Sequence, residues 1–402
     1  MKKRVLILSL SYYPRFVGGA EVAIKEITER LSNKYEFHLI CNRYDSTLPT
    51  QEVLGSVTVH RIGFVTRNPS IHHLSKFPLH LNKALYQWLA YRKACSLHHK
   101  YHFDLMWAMM AHSCGVPAAL FKRTHPDVPY VLTLQEGDPP KHIENRMKVF
   151  GGLFRSAFVR ADVIQSISTF LQEWAQSMGH KGKSVVIPNA VNVKHFSRPI
   201  STSQRYKVQK AFSKRDGDVW LVTTSRLVYK NALDDVIRAL HHLPKTVHFF
   251  IYGIGPEESK LKHIAKKIDV DSRVHFEGEI PHDVMPLHLK ACDIFVRPSR
   301  SEGMGNSFIE AMAVGLPVIA TQEGGIADFL FDAERNPEKP TTGWAVQKDS
   351  PKDIANAVKK IITDPENAQR VTTQASIMVA EHYDWDTIAH RMNDEVFAPL
   401  FR

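Results

Sequence analysis

Residues 293–321 read DIFVRPSRSEGMGNSFIEAMAVGLPVIAT. An apolar run, DIFVRPS, enters a glycine-rich turn. A helix-like stretch, SFIEAMAVG, follows, and LPVIAT returns as a second apolar run. Strand, turn, helix and strand make the repeating unit of a parallel sheet, because parallel neighbours need a crossover to regain the same edge. The rhythm extends upstream. DVWLVTTSR, VHFFIYG and VHFEG read as strands, alternating with the helices NALDDVIRALHHL, PEESKLKHIAKKI and HDVMPLHLKAC. In the first half RVLILSL, FHLICN, VTVHRIGF, LMWAMM, YVLTLQ, DVIQSIS and SVVIPNAV read as strands, and AEVAIKEITERLSN as a helix. Strands this apolar belong to parallel sheets covered on both faces.

At 402 residues the chain suits two domains. The expected division is an α/β domain over 1–193, a polar, basic linker over 194–217 and a second α/β domain over 218–383. A helix over 384–402 is expected to return to the first domain. The 52 Lys+Arg against 41 Asp+Glu leave a net charge of +11, so polyanions are natural partners. The excess is not gathered into a tail or a long run, which argues against nucleic acid. Cys41, Cys95, Cys114 and Cys292 are scattered without metal-like spacing and read as reduced thiols of a cytoplasmic protein. The opening MKKRVLILSLSYYP resembles a signal peptide, but its apolar run is short and no small-residue cleavage site follows. No stretch approaches the roughly 20 apolar residues that span a bilayer.

In open parallel sheets ligands bind beyond the carboxyl ends of the strands, so strand-to-helix turns are the candidate contacts. Glu302 leaves such an edge directly. Gly303, Met304, Gly305, Asn306 and Ser307 follow as a turn whose backbone N–H groups can converge on phosphate. Glu310 supports two readings: a ligand contact, or the far end of a capping box with Ser307 as N-cap. Arg226 and Lys230, in TTSRLVYKN, suit a diphosphate that gains charge as it leaves. Gly18 and Gly19 open the first helix, and Gly324-Gly325 follow the strand LPVIAT. Gly253, in YGIGPEE, also stands at a ligand edge. Glu258 occupies the third-glycine position of a dinucleotide fingerprint there, so no nicotinamide cofactor is expected. The pairs Asp216/Asp218, Asp269/Asp271 and Asp384/Asp386 read as turn and cap residues rather than metal ligands. Neither H-E-x-x-H nor G-x-S-x-G occurs.

The run from Glu302 to Glu310, continued by AMAVGLPVIAT and Gly324-Gly325-Ile326, resembles the signature of family 4 glycosyltransferases. Arg226 and Lys230, the segment Pro188-Asn189-Ala190-Val191-Asn192 with Phe196, Gly18-Gly19 and the helix led by Trp385 extend the resemblance over nearly the whole chain. It implies the GT-B fold: two Rossmann-like parallel-sheet domains facing a cleft. It also implies retaining transfer from a nucleotide-diphosphate sugar without a metal or other cofactor. Glu302 would contact donor sugar hydroxyls and Glu310 the ribose. Gly303 to Ser307, Arg226 and Lys230 would hold the diphosphate. Three departures stand out. Gln135 replaces a histidine found in many members and cannot titrate, Ala190 and Asn192 replace glycine and aspartate, and Asn231 follows Lys230 where glycine is common.

The acceptor would belong to the first domain. SIHHLSKFPLHLNKALYQWLAYRKACSLHHKYHF and NRMKVFGGLFRSAFVRAD mix aromatic and basic residues. They read either as ordinary helices with solvated cations or as contacts for an anionic, lipid-linked glycan acceptor at the inner face of a membrane. Two alternatives share the architecture: a catalytically silent nucleotide-sugar-binding protein and a sugar-nucleotide epimerase.

Overall fold

The computed structural model describes residues 2–401. The chain divides into two compact units, Met1–Asn189 with Trp385–Arg402, and Ala190–Asp384.

The first unit is built on eight strands: β1 (Lys3–Leu8), β2 (Tyr35–Asn42), β3 (Gln51–Leu54), β4 (Val57–Ile62), β5 (Leu105–Met109), β6 (Tyr130–Leu134), β7 (Val163–Ser166) and β8 (Lys183–Val186). Their order is β3-β4-β2-β1-β5-β6-β7-β8. All neighbours are parallel except β3, which returns antiparallel on β4 as a short edge that apolar patterning did not announce. β1, β5 and β6 are nearly all buried, as doubly covered strands must be. The terminal helix Trp385–Arg391 packs on the first helix, Gly19–Leu31. The residues after it anchor the tail to this sheet. Phe397 meets Trp107 edge-on at 5.2 Å, Asn393 accepts from the Tyr35 hydroxyl at 2.9 Å, and Arg391 donates to the Val186 carbonyl at 2.9 Å.

The second unit holds β9 (Val219–Thr224), β10 (Val247–Tyr252), β11 (Val274–Gly278), β12 (Ile294–Arg297), β13 (Val318–Ala320) and β14 (Trp344–Ala345). The sheet is wholly parallel, in the order β11-β10-β9-β12-β13-β14. Leu221, Phe249, Ile251, Val296 and Ile319 lie in one buried cluster with Val236, Ile237 and Leu240 from the helix after β9 and with Ile354 and Val358 from a later one.

The segment 194–217, expected as an irregular linker, instead carries the helices Val193–Ser197 and Thr202–Ala211. The second has a capping box, Ser201 with Gln204, and packs on the helix Met285–Ala291. Its polarity misled the sequence reading because none of its residues is buried.

Candidate functional site

In the second unit, β9, β10 and β12 are neighbours and all end at the same edge. Their turns therefore lie side by side. Gly253 and Gly255 brace the Arg226 turn by close backbone approach. A Cβ on Gly253 would fall 2.0 Å from the Ser225 carbonyl oxygen, and one on Gly255 would fall 2.3 Å from that of Leu227. The G-x-G thus packs backbone on backbone, and the Leu227 N–H donates to the Ile254 carbonyl at 3.0 Å. Arg226 is exposed and Lys230 half-buried.

On its other side the Lys230 turn is tied to Arg300, whose N–H donates to the Lys230 carbonyl at 2.7 Å. The Arg300 guanidinium donates to the Tyr229 carbonyl at 2.8 Å, to Asp234 at 2.9 Å and to Asp235 at 2.8 Å. Burial raises the Asp234 carboxyl, but hydrogen bonds from Arg300 and Arg238 outweigh it and hold it below its ordinary value. Burial and the adjacent Asp234 charge push Asp235 up to about 6. Arg300, Asp234 and Asp235 went unremarked in the sequence because charged residues flanking a turn look like surface.

The β12 turn is organised by Arg297, also unanticipated. This last residue of the strand is only 5% exposed. Its guanidinium donates to Glu302 at 3.0 Å and to the Ser307 hydroxyl at 2.6 Å, and it lies 4.1 Å from the Phe308 ring centroid. Burial lowers its pKa, while the charges of Glu302 and Glu310 oppose that shift. The second oxygen of Glu302 accepts from the Gly303 N–H at 3.1 Å. Gly305, at φ +88°, makes the crossing possible, since a Cβ there would lie 2.6 Å from both Arg297 Nη2 and the Phe308 ring. Gly324 presses on the same turn from β13. Its Cβ would fall 2.1 Å from the Glu302 carbonyl oxygen, to which the Gly325 N–H donates at 3.1 Å.

Of the two readings of Glu310, the capping box with Ser307 does not form. The helix starts two residues earlier than that cap requires, spans Asn306–Ala313 and has Gly305 as its N-cap without a side-chain cap. Ser307 is spent on Arg297. Glu310, half-buried, faces His282, with Oε1 2.9 Å from Nε2. Among the described residues, the hydroxyls of Thr223, Thr224, Ser225 and Ser299 and the Arg297 Nε are buried without a partner along this edge. Polar atoms left unpaired at the ends of β9 and β12 suit a site whose ligand completes the bonding.

In the first unit, Gly18 N-caps the first helix. Its N–H donates to Glu21 at 2.8 Å, and Glu21 also accepts from Ser11 at 2.8 Å. Burial raises the Glu21 carboxyl, opposed by those two bonds. Gly19 is exposed. Gln135 follows β6 and forms a reciprocal amide pair with Asn189, at 3.0 and 3.1 Å. Beside it the buried Glu136 accepts from the Ala111 and Gln135 N–H groups, at 2.6 and 3.0 Å, and stands 3.3 Å from His112 Nδ1. A carboxylate placed directly after an apolar strand was the available signal for Glu136; His112 had none. Among the described residues no group of three or more His, Cys, Asp or Glu is arranged to hold a metal ion, and no helix is long and apolar enough to cross a membrane.

Residues 17–195 match the family model described as Glycosyltransferase Family 4, and residues 204–378 match that of the group 1 glycosyl transferases. The chain belongs to the family 4 glycosyltransferases. An uncharacterised glycosyltransferase of Methanocaldococcus jannaschii is 24% identical over 96% of each chain. A GDP-mannose-dependent α-(1-6)-phosphatidylinositol monomannoside mannosyltransferase of Mycobacterium tuberculosis is 28% identical over 58% of this chain and 61% of its own. The crystal structure of Anabaena HepE in complex with UDP and glucose superposes with a TM-score of 0.76 at 20% identity, covering 98% of this glycosyltransferase and 100% of that chain. The fold is GT-B, with two Rossmann-like units.

Proposed function

We propose that this glycosyltransferase moves a sugar from a nucleotide-diphosphate sugar to a glycan or lipid-linked acceptor, with retention of configuration and without a bound metal. The carrying observation is the Arg297-centred turn. One buried guanidinium orients Glu302 and Ser307 beneath a glycine loop, next to the Arg226–Lys230 turn. The donor named for the mycobacterial relative and the UDP named for the HepE complex support a nucleotide-sugar donor.

In this reading the second unit holds the donor. Arg226, Lys230 and the N–H groups from Gly303 to Ser307 take up the charge that grows on the diphosphate as the bond from the anomeric carbon to oxygen breaks. Glu302 keeps free lone pairs after its two bonds and accepts from sugar hydroxyls. Glu310 receives the ribose hydroxyls. The acceptor oxygen attacks from the face the phosphate leaves, and its proton passes to a departing phosphate oxygen. Gly18, Gly19 and Gln135 belong to the unit assigned to the acceptor, and Asn189 sets the orientation of the Gln135 amide.

A lipid-linked acceptor at a cytoplasmic membrane face is supported by the helix Leu81–Tyr101, where Leu85, Trp88, Leu89 and Arg92 fall at i, i+3, i+4 and i+7 and are all exposed.

Turnover of UDP-, GDP- and ADP-sugars, measured for the wild type and Lys230→Ala, tests the reading. A charge-assisted phosphate contact contributes on the order of 1.5–3 kcal/mol, so the variant should lose about one to two decades in rate. A folded variant with unchanged turnover removes Lys230 from the mechanism, and a wild type that consumes no nucleotide sugar removes the reading.

A further inference from the structure

The first unit carries a second cationic feature at the opposite edge of its sheet. An open groove of about 620 Å³ runs between the helices Val116–Thr124 and Gly152–Val159, lined by Lys122, Arg123, Arg155, Ser156, Val159 and Arg160 among others. Lys122 and Arg123 stand just before β6, and Arg160 just before β7, so the groove flanks the amino ends of these strands. Gln135 and Glu136 lie at the carboxyl end of β6, about 16 Å along the strand.

Four cations line this groove, and no carboxylate does. Asp162, which follows Arg160 closely in the chain, is committed: it pairs with Lys122 at 2.9 Å and accepts from the Tyr130 N–H at 2.7 Å. Arg123, Arg155 and Arg160 are exposed, and among the described residues none has a side-chain hydrogen bond or an ion pair. Other arginines, such as Arg4, Arg15, Arg30, Arg61, Arg238 and Arg300, each meet a carboxylate, so it is the convergence of three unpaired ones on one groove that sets this place apart. Three unpaired guanidiniums facing one concavity repel each other until an anion joins them. Their planar forks match phosphate oxygens in bidentate geometry. Gly179 leaves room for the Arg155 fork, since a Cβ there would lie 3.2 Å from its Nη2. Gly152 also lines the groove, and the space beside it is open, with nothing within 4 Å of where a Cβ would stand.

We propose that this groove is a phosphate-binding site separate from the donor site, and that it takes a phosphate monoester or diester. The phosphate comes either from a free solute or from a lipid headgroup. This assignment does not depend on the donor reading above.

The test uses the full chain and the variant Arg123→Gln/Arg155→Gln/Arg160→Gln, whose changes lie at the surface. Inorganic pyrophosphate is titrated calorimetrically into both and into Lys230→Ala, which reports on the donor turn. The triple variant should lose a component that Lys230→Ala retains, with affinity at least tenfold weaker. The component should also fade between 0.05 and 0.5 M NaCl as screening grows (the Debye length falls to about 3 Å near 1 M). Vesicles of phosphatidylglycerol and of phosphatidylcholine then identify the source. At least tenfold less sedimentation of the triple variant on phosphatidylglycerol assigns the headgroup. Equal sedimentation with the pyrophosphate component lost assigns a free phosphate. Matching isotherms together with matching sedimentation for wild type and triple variant overturn the proposal.

Discussion

The Arg297 guanidinium donates to the Glu302 carboxylate at 3.0 Å from a position almost closed to water. A strand-ending arginine thereby fixes the carboxylate that opens the following turn. Removing one partner of a shielded pair costs about 3–5 kcal/mol, because the other charge is left uncompensated. Arg297→Leu should therefore lower the melting temperature by several degrees. Arg297→Lys keeps the charge but loses the fork that reaches Glu302 and Ser307 together. It should melt close to the wild type and turn over at least tenfold more slowly. Thermal unfolding and steady-state rates on the same preparations check both.

Glu310 caps nothing and meets His282 through Oε1 at 2.9 Å, which leaves Oε2 for a ligand. Glu310→Gln should weaken nucleotide binding while leaving the melting temperature within about 1 °C, since a substitution away from caps and core usually changes stability by under about 0.5 kcal/mol. Calorimetric titration and thermal unfolding decide. A drop in melting temperature with unchanged affinity would return Glu310 to a structural role.

The outward stripe of the helix Leu81–Tyr101 should bind anionic vesicles at low salt, weakly at high salt, and not neutral ones. Each surface cation contributes roughly 1 kcal/mol to such binding. Replacing Lys76, Lys83, Arg92 and Lys93 together with Gln should abolish co-sedimentation without changing nucleotide affinity. A wild type that stays in the supernatant at low salt would make this an ordinary solvated helix.

His60 carries a pH dependence unrelated to the site. It is 2% exposed and lies 3.1 Å from His38, which in turn is 3.0 Å from Glu36. Burial, then His38, Lys93 and Lys100, push its pKa down to about 4. The unfolded chain takes up this proton near pH 6.5 and the folded chain only near 4, so stability is lost as pH falls through that window. The loss should be on the order of 1–3 kcal/mol. His60→Gln should flatten the slope of melting temperature between pH 7 and 4, and a slope equal to the wild type's would dismiss His60 as its source.

The parallel sheets were legible because alternation of apolar runs with amphipathic stretches admits few other packings. The edge strand β3 escaped notice, since a four-residue strand with two exposed positions leaves almost no pattern. The stretch 194–217 escaped for a related reason: its longer helix rests on a neighbour without burying any residue.

The sequence by itself determined which turns could meet a ligand. Chain direction through a parallel sheet assigns every strand-to-helix turn to one edge, so Arg226, Lys230, Glu302 and the glycines between them were placed before any contact was known. Tertiary structure alone decided what holds them. An arginine that ends an apolar strand reads the same whether it points to water or under a glycine loop, and only the packing of Phe308 and Gly305 around Arg297 closes the route to water. It also decided the work of Glu310. A positive φ at Gly305 starts the helix two residues early, which takes Ser307 out of the cap position and leaves Glu310 to face His282 instead of the helix terminus.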